Sequence, residues 1–446
     1  MTALFLSFGE ARADELIKTI TNEQTGSGSI IRNYDGGLDV VCHHSTSDPF
    51  FMMYKNSSPV AYGLILDHMA RIYDFEIYND TVYFCGISKK SKAGLAVIGY
   101  FDVNTLLNSS PENVSYVALP SMEAVTAIEV GWFANRKHVV GVGVELGAEG
   151  AMVDMIDETT YWKVNLANVG GDTVSLSDLA ITDSLVVVTS KRNPTSLMPY
   201  GRLWLFDKPV ASGASLFPCY VTFWDHDDYV GGKYFVKALR FNRYVTARAN
   251  DFFVNTSNDF VLSYYTGHTY DKSVAVEEFL SFSCTVGGLD YEVTASTVAM
   301  LLKGVYYTQG IPHLKSVIYE IPDVATAPAI VPSHVYEGVL FESLDYVWTF
   351  DVDRQHFVST GFDVASGYGT PYYMKFKYNF FDGSCLEKNI APARKIIIEH
   401  HDYRKPIANI PDYQIPDVIM EYKKMMSIET LCNYHEQHEQ DTENED

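Results

Sequence analysis

Short apolar stretches recur along the chain, and several alternate apolar with polar positions at the period of two expected of a half-buried strand. Ile72-Tyr73-Asp74-Phe75-Glu76-Ile77 and Leu176-Ser177-Asp178-Leu179-Ala180-Ile181 are two examples. Each is followed by a pair suited to a tight turn, Asn79-Asp80 and Asp183-Ser184, because short polar side chains bond the local backbone and tolerate positive φ. Helical spacing is rare before residue 418. The pattern predicts an all-β chain.

A second regularity lies above the first. Gly99-Tyr100-Phe101-Asp102-Val103, Met152-Val153-Asp154-Met155 and Leu203-Trp204-Leu205-Phe206-Asp207 share a form, and their aspartates lie 52 and 53 residues apart. Steps of 56, 57 and 57 lead on to Leu262-Ser263-Tyr264, to 317–321 and to 375–378, and a backward step of 47 reaches Met53-Tyr54-Lys55. A further apolar strand precedes each, at 38–42, 82–87, 139–144, 185–189, 252–255, 298–302 and 356–359. Fourth strands are expected at 115–119, 162–166 and 335–341.

Four short strands per unit of about 54 residues are the signature of a β-propeller, in which each meander buries its faces against its neighbours. The reading is therefore a single seven-bladed β-propeller over 28–401, with six or eight blades also open because the fifth unit is poorly defined by pattern. Paired β-sandwiches use similar strands, but they have no reason to keep one phase over six steps. Residues 1–27 form an N-terminal segment whose apolar run at 3–8 and Ala11-Arg12-Ala13 suggest the remnant of an export signal. Residues 402–446 form a C-terminal extension, broken by Pro406, Pro411 and Pro416, with apolar positions 419, 422, 425 and 426 predicting a short helix over 418–431. Its last twelve or so residues are acidic, polar and expected to be disordered.

The phrase Tyr73-Asp74-Phe75-Glu76-Ile77, continued by Asn79-Asp80-Thr81-Val82-Tyr83-Phe84-Cys85-Gly86 and Gly99-Tyr100-Phe101-Asp102, resembles those of uncharacterised exported propeller proteins of gut bacteria, of the Bacteroidales type. The resemblance covers about 29–400. It implies a periplasmic, surface or secreted protein with an interaction role, a cytoplasmic one being left open, and it carries no catalytic residues. No Trp-Asp pair closes each blade as in WD40 repeats, and the Gly-Gly doublets are too irregular for kelch repeats.

Composition narrows the partners. The chain of 446 residues has 33 Lys plus Arg against 56 Asp plus Glu, a net charge of −23, so polyphosphates are repelled and nucleic acid is excluded as a partner. No run of eighteen apolar residues occurs, so no transmembrane helix is predicted. Six cysteines are too few and too scattered for a disulfide scaffold. Cys42 and Cys85 lie within apolar runs and read as buried thiols. Nucleotide loops and the serine nucleophile elbow are absent.

The richest candidate is Trp224-Asp225-His226-Asp227-Asp228. Its carboxylates could hold Ca²⁺ through hard oxygen ligands, or flank a sugar stacked on Trp224, although a solvated loop is the plainer reading. No other cofactor and no resident metal are predicted. Asp351 and Asp353, with His356, could share a strand face, and Asp351 is expected to cap a turn. The shared phase of Asp102, Asp154 and Asp207 argues for a structural task at a strand end. His43-His44 and His400-His401 cannot each present both rings to one metal, since strand neighbours face opposite ways. His435-Glu436-Gln437-His438 has the wrong spacing for a helical zinc motif. The expected function is a non-enzymatic binding scaffold for a protein or glycan partner. A glycan-active enzyme with paired carboxylates at the channel mouth, or a structural subunit of a surface complex, are the alternatives.

Overall fold

The computed structural model describes strands and tight turns distributed from Leu16 to Ser427, with side chains between residues 30 and 300. Residues 1–15, 224–230, 378–392 and 428–446 lie outside the described residues, as do shorter loop stretches. What is described is strand and turn, with one 3-10 turn at Val103–Leu106.

The strands form seven antiparallel sheets in a propeller-like arrangement. In each of the first six, four consecutive strands make an up-and-down meander. The first sheet contains Ser29–Asn33, Leu38–His44, Pro49–Lys55 and Ser58–Ile65. The second contains Met69–Tyr78, Thr81–Ser88, Leu95–Asp102 and Val114–Leu119. The third contains Met122–Phe133, Arg136–Glu145, Glu149–Ile156 and Thr160–Asn165. The fourth contains Thr173–Ile181, Leu185–Asn193, Tyr200–Asp207 and Cys219–Phe223. The fifth contains Gly231–Ala238, Arg243–Ala249, Asn258–Thr266 and Thr269–Glu278. The sixth contains Ser283–Glu292, Thr297–Thr308, Ile311–Pro322 and His334–Gly338. The seventh takes Thr349–Val352, His356–Asp363 and Thr370–Lys377 from its own stretch of chain. Its fourth strand is Leu16–Thr19, paired from Leu16 opposite Lys375 to Thr19 opposite Tyr372.

All seven phase positions read from the sequence fall on the third strand of a sheet. The first strand of each sheet packs on the first strand of the next, and Thr349–Val352 packs back on Ser29–Asn33. The series thus closes into a ring with the first strands innermost. The apolar core is divided among the walls between sheets. Phe51, Phe75, Phe84 and Phe101 fill the wall between the first and second sheets, with ring centroids 5.1 to 6.2 Å apart. Separate clusters fill the next three walls. Middle strands are covered on both faces, so Val82, Tyr83, Phe84 and Cys85 are all fully buried without alternation.

Asn79 and Asp80, with φ of 45° and 62°, make the expected hairpin turn, as Ala134 and Asn135 do one sheet later. The first strand carries a bulge in the second to sixth sheets, which sharpens its twist. Opposite two of these bulges stand Gly86 and Gly143. A Cβ there would sit 2.0 Å from the Arg71 carbonyl oxygen and 1.9 Å from that of Ala124.

Two expectations are corrected. The second strand of the fifth unit is Arg243–Ala249, while 252–255 lies outside the described residues. Tyr244, Thr246 and Arg248 on one face and Val245 and Ala247 on the other are all buried there, a mixture that hides a strand from an apolar-run search. The helix expected over 418–431 is replaced by the strands Ile419–Tyr422 and Met425–Ser427. The reason is the unpaired outer edge that every four-stranded meander offers. Five successive pieces of the C-terminal segment dock on such edges: Ala393–Ile397 on the fifth sheet, Tyr403–Ile407 on the fourth, Asp412–Gln414 on the third, Ile419–Tyr422 on the second and Met425–Ser427 on the first. Ladder hydrogen bonds override the weak helical spacing. Residues 393–427 therefore join five of the sheets that precede them in the chain.

Candidate functional site

Trp224, Asp225, His226, Asp227 and Asp228 lie outside the described residues, as do Asp353, His400, His401 and the histidines at 435 and 438. Asp351 is on the first strand of the seventh sheet opposite Val358, and His356 opens the second strand opposite Lys377. His43 is buried beside the Tyr54 hydroxyl at 3.3 Å. Among the described residues no three His, Cys, Asp or Glu side chains are grouped to hold a metal ion. No helix among them is long and apolar enough to cross a membrane.

The three phased aspartates have three different tasks. Asp102 does what its position predicts: its carboxylate accepts the Asn104 amide at 2.8 Å and caps the 3-10 turn. Asp207 reaches across to the fifth sheet and meets His268 Nε2 at 2.7 Å. Asp154 departs from the expectation, because it lies inside its strand rather than at the end. It is buried against His138 Nδ1 at 2.9 Å, and burial raises its carboxyl above the usual range while that hydrogen bond pulls it back. The amide-capping task in the third sheet falls to Asp157, which accepts the Lys137 amide at 3.0 Å and is held below its usual range by Arg136.

The chemistry gathers elsewhere, on the innermost strands. Arg32 of the first sheet places Nη2 2.9 Å from Asp74 and Nε 3.2 Å from Glu76 of the second. Asp74 also accepts the amides of Phe75 at 2.9 Å and, from the third sheet, Ile128 at 3.1 Å. Lys237 of the fifth sheet reaches Asp290 of the sixth at 2.9 Å. Glu129, on the first strand of the third sheet, is close enough to Glu76, Lys237, Arg32 and Asp74 to feel the charge of each. All six residues fall within the last five of their strands, so they share one half of the axis. Four carboxyl groups meet two cations.

Glu129 is the unusual member. Its side chain is only half-buried, with part of its surface open. Burial first, and the charge of Glu76 second, push its carboxyl up to about 8, while Lys237 and Arg32 oppose the rise. Among the described residues no hydrogen bond or ion pair engages it.

No protein-family model matches the chain, and no curated protein matches it. Among solved structures it is similar to the phage phi92 endosialidase, with a TM-score of 0.46 and 8% identity over 89% of this chain and 76% of that one. It is also similar to the polysaccharide lyase Uly1, with a TM-score of 0.45 and 9% identity over 80% and 91% of the two chains. A prolyl endopeptidase gives 0.40 and 10% identity over 82% and 50%. At these scores nothing about activity transfers. The resemblance to exported propellers of gut bacteria finds no support in these comparisons.

Chemically, the axis offers a carboxyl raised above its usual range beside two carboxyl groups paired with a guanidinium. Such a set can bind a polar ligand or move a proton. Sequence reasoning used Asp74 and Glu76 as strand markers and passed over Glu129, Lys237 and Asp290. A signal did exist: an aspartate recurs directly before an apolar residue on first strands, at 74, 178 and 290. Asp178 shares a task with Asp74, accepting the Val236 amide of the following sheet at 3.1 Å.

Proposed function

We propose that the chain is a seven-bladed β-propeller acting as a binding scaffold, and that its partner engages the axial cluster of Arg32, Asp74, Glu76, Glu129, Lys237 and Asp290. The propeller reading is supported by the succession of meanders whose first strands pack in a ring. The binding reading rests on one observation: charged side chains from five sheets meet on the axis, where walls of Val, Phe and Tyr would close a propeller without them. Desolvating charge is costly and seldom raises stability, so its retention on the axis points to a ligand. The test is a panel of defined peptides and oligosaccharides probed with the wild type, with Glu76→Gln/Glu129→Gln and with Trp132→Ala/Phe241→Ala. A ligand lost only in the first variant supports axial binding. A ligand lost only in the second, whose exposed rings sit at a strand end and on a hairpin turn, overturns it.

A second reading, a glycan-active enzyme, is favoured by Glu129 alone. A carboxyl held protonated beside a second carboxyl group, Glu76, is the pairing that acid-assisted glycoside cleavage requires, with carboxyl separations of about 5 to 10 Å. Release of reducing ends from any oligosaccharide of the panel, lost in Glu129→Gln, would establish it. Full retention of that release in Glu129→Gln would remove Glu129 from the chemistry.

A further inference from the structure

The large apolar side chains that stand exposed among the described residues are Leu107, Trp132 and Phe241, and all three lie at the same end of the sheets. Trp132 precedes the hairpin turn of the third sheet, Phe241 lies in that of the fifth, and Leu107 follows the 3-10 turn whose Val103 amide bonds the Asp80 carbonyl in the hairpin of the second. Contacts between neighbouring sheets bring these turns to one side: Tyr83 donates to Glu158, Lys208 lies 5.1 Å over the Phe133 ring, and Thr182 donates to Asn242 at 2.8 Å. Phe241 is the most exposed, at 81%. Its φ is 58°, in the left-handed region that Asn, Asp and Gly favour and a bulky side chain avoids; the matching turn of the second sheet has Asn79 there. Such a conformation persists where the surroundings impose it. Here they hold the next residue. The Asn242 side-chain oxygen accepts Thr182 Oγ1 at 2.8 Å, Ser184 Oγ at 2.9 Å and the Ser184 amide at 3.1 Å. Its own amide donates to Asp183 at 3.1 Å, and its carbonyl accepts the Gly267 amide at 2.9 Å. These bonds fix the turn, and none of them uses the Phe241 ring. Beside it Arg240 is exposed, and among the described residues no carboxylate pairs with it, in a chain where 56 acidic side chains outnumber 33 basic ones. Two carboxylates of the adjoining fourth sheet have other tasks: Asp183 accepts the Asn242 amide and Asp207 meets His268.

We propose that Arg240 and Phe241 are a preformed docking point for a protein partner, whose apolar pocket receives the ring and whose carboxylate at the pocket rim meets the guanidinium. A protein suits this shape better than a glycan. A hairpin tip projects, and a phenyl ring has no polar edge for sugar hydroxyls, whereas aromatic and arginine anchors seated in pockets carry much of the affinity of protein interfaces. The clamped turn has little freedom left to lose, which lowers the entropic cost of association. The docking point lies outside the axial cluster and does not rest on it.

The test uses a phage-displayed library of disulfide-constrained peptides, selected on the full chain with no counter-selection. The most enriched peptides are titrated against wild type, Phe241→Asn, Arg240→Gln and Glu76→Gln/Glu129→Gln. The expected peptides present acidic and apolar residues, weaken about tenfold or more in Phe241→Asn, weaken less in Arg240→Gln, and bind the axial variant as they bind wild type. Peptides indifferent to Phe241→Asn overturn the proposal. So does an oligosaccharide of the panel that is lost in Phe241→Asn when no peptide is. Thermal melts separate docking from a structural task of the ring. Asn tolerates positive φ, so Phe241→Asn is expected to keep or raise the wild-type midpoint. A lowered midpoint would assign the ring to the fold and overturn its part in docking. Peptides lost in the axial variant and kept in Phe241→Asn leave the axial reading standing while this one falls.

Discussion

The apolar wall between the first and second sheets and the charged axis are built from alternate residues of one strand. Phe75 turns into the wall, where it meets Phe51 at 5.2 Å, while its neighbours Asp74 and Glu76 turn to Arg32. The wall is stabilised by area, a non-directional term that asks only for volume and fit. The axis depends on partners at fixed positions, because each desolvated charge needs its counter-charge and its amide donors. One region can drift in sequence and keep its purpose. The other is tied to particular side chains.

The comparison can be broken most forcefully on the apolar side. Phe84→Ala empties a site lined by Phe51, Phe101 and Tyr116 and is expected to cost about 3 to 5 kcal/mol, read as a lowered denaturant midpoint. If the wall were loosely packed, the loss would stay below about 1 kcal/mol. Gly143→Ala comes next, at roughly 1 to 3 kcal/mol, because the added carbon meets the Ala124 carbonyl at the bulge that sets which way the strand bearing Glu129 faces. It should disturb axial ligand binding as well as stability, whereas Phe84→Ala should change stability alone.

On the polar side the effect is smaller and depends on pH. The carboxyl of Glu129 is raised in the folded chain, so the folded state holds more protons than the unfolded one between the usual glutamate range and about pH 8. Its contribution is present below that window and is lost as pH rises through it. Thermal melts across the window should fall with pH in wild type and fall less in Glu129→Gln. Parallel slopes would mean that Glu129 titrates normally. The smallest effect is expected of Trp132→Ala, whose ring is 59% exposed at the end of its strand: within about 0.5 kcal/mol, in either direction.

How much of this could be read in advance follows from the same contrast. The third strands were legible at all seven positions because aromatic and β-branched runs answer to burial by neighbouring sheets, and burial repeats with the unit. The Asn79-Asp80 turn was legible because positive φ selects residue type. Asp154 misled, since a spacing of 52 matched Asp102 in number but fell inside a strand, where His138 rather than a turn amide faced it. The axial set was illegible for another reason. Arg32 meets Asp74, and Lys237 meets Asp290, across neighbouring sheets far apart in sequence, and no local pattern records either approach. The outer strands at 393–427 were hidden because short polar segments become strands only when an edge is offered.

Those outer strands impose an order on assembly. The segment from Ala393 visits the fifth sheet first and the first sheet last, opposite to the order of synthesis, and it can do so only once those sheets exist. Leu16–Thr19, made at the beginning, must likewise wait for Thr370–Lys377 before it finds a partner. Both ends of the chain are thus committed late, and the edges left bare until then are the surfaces through which a half-finished molecule could pair with another copy. The tail acts as a hoop fitted after the staves are in place.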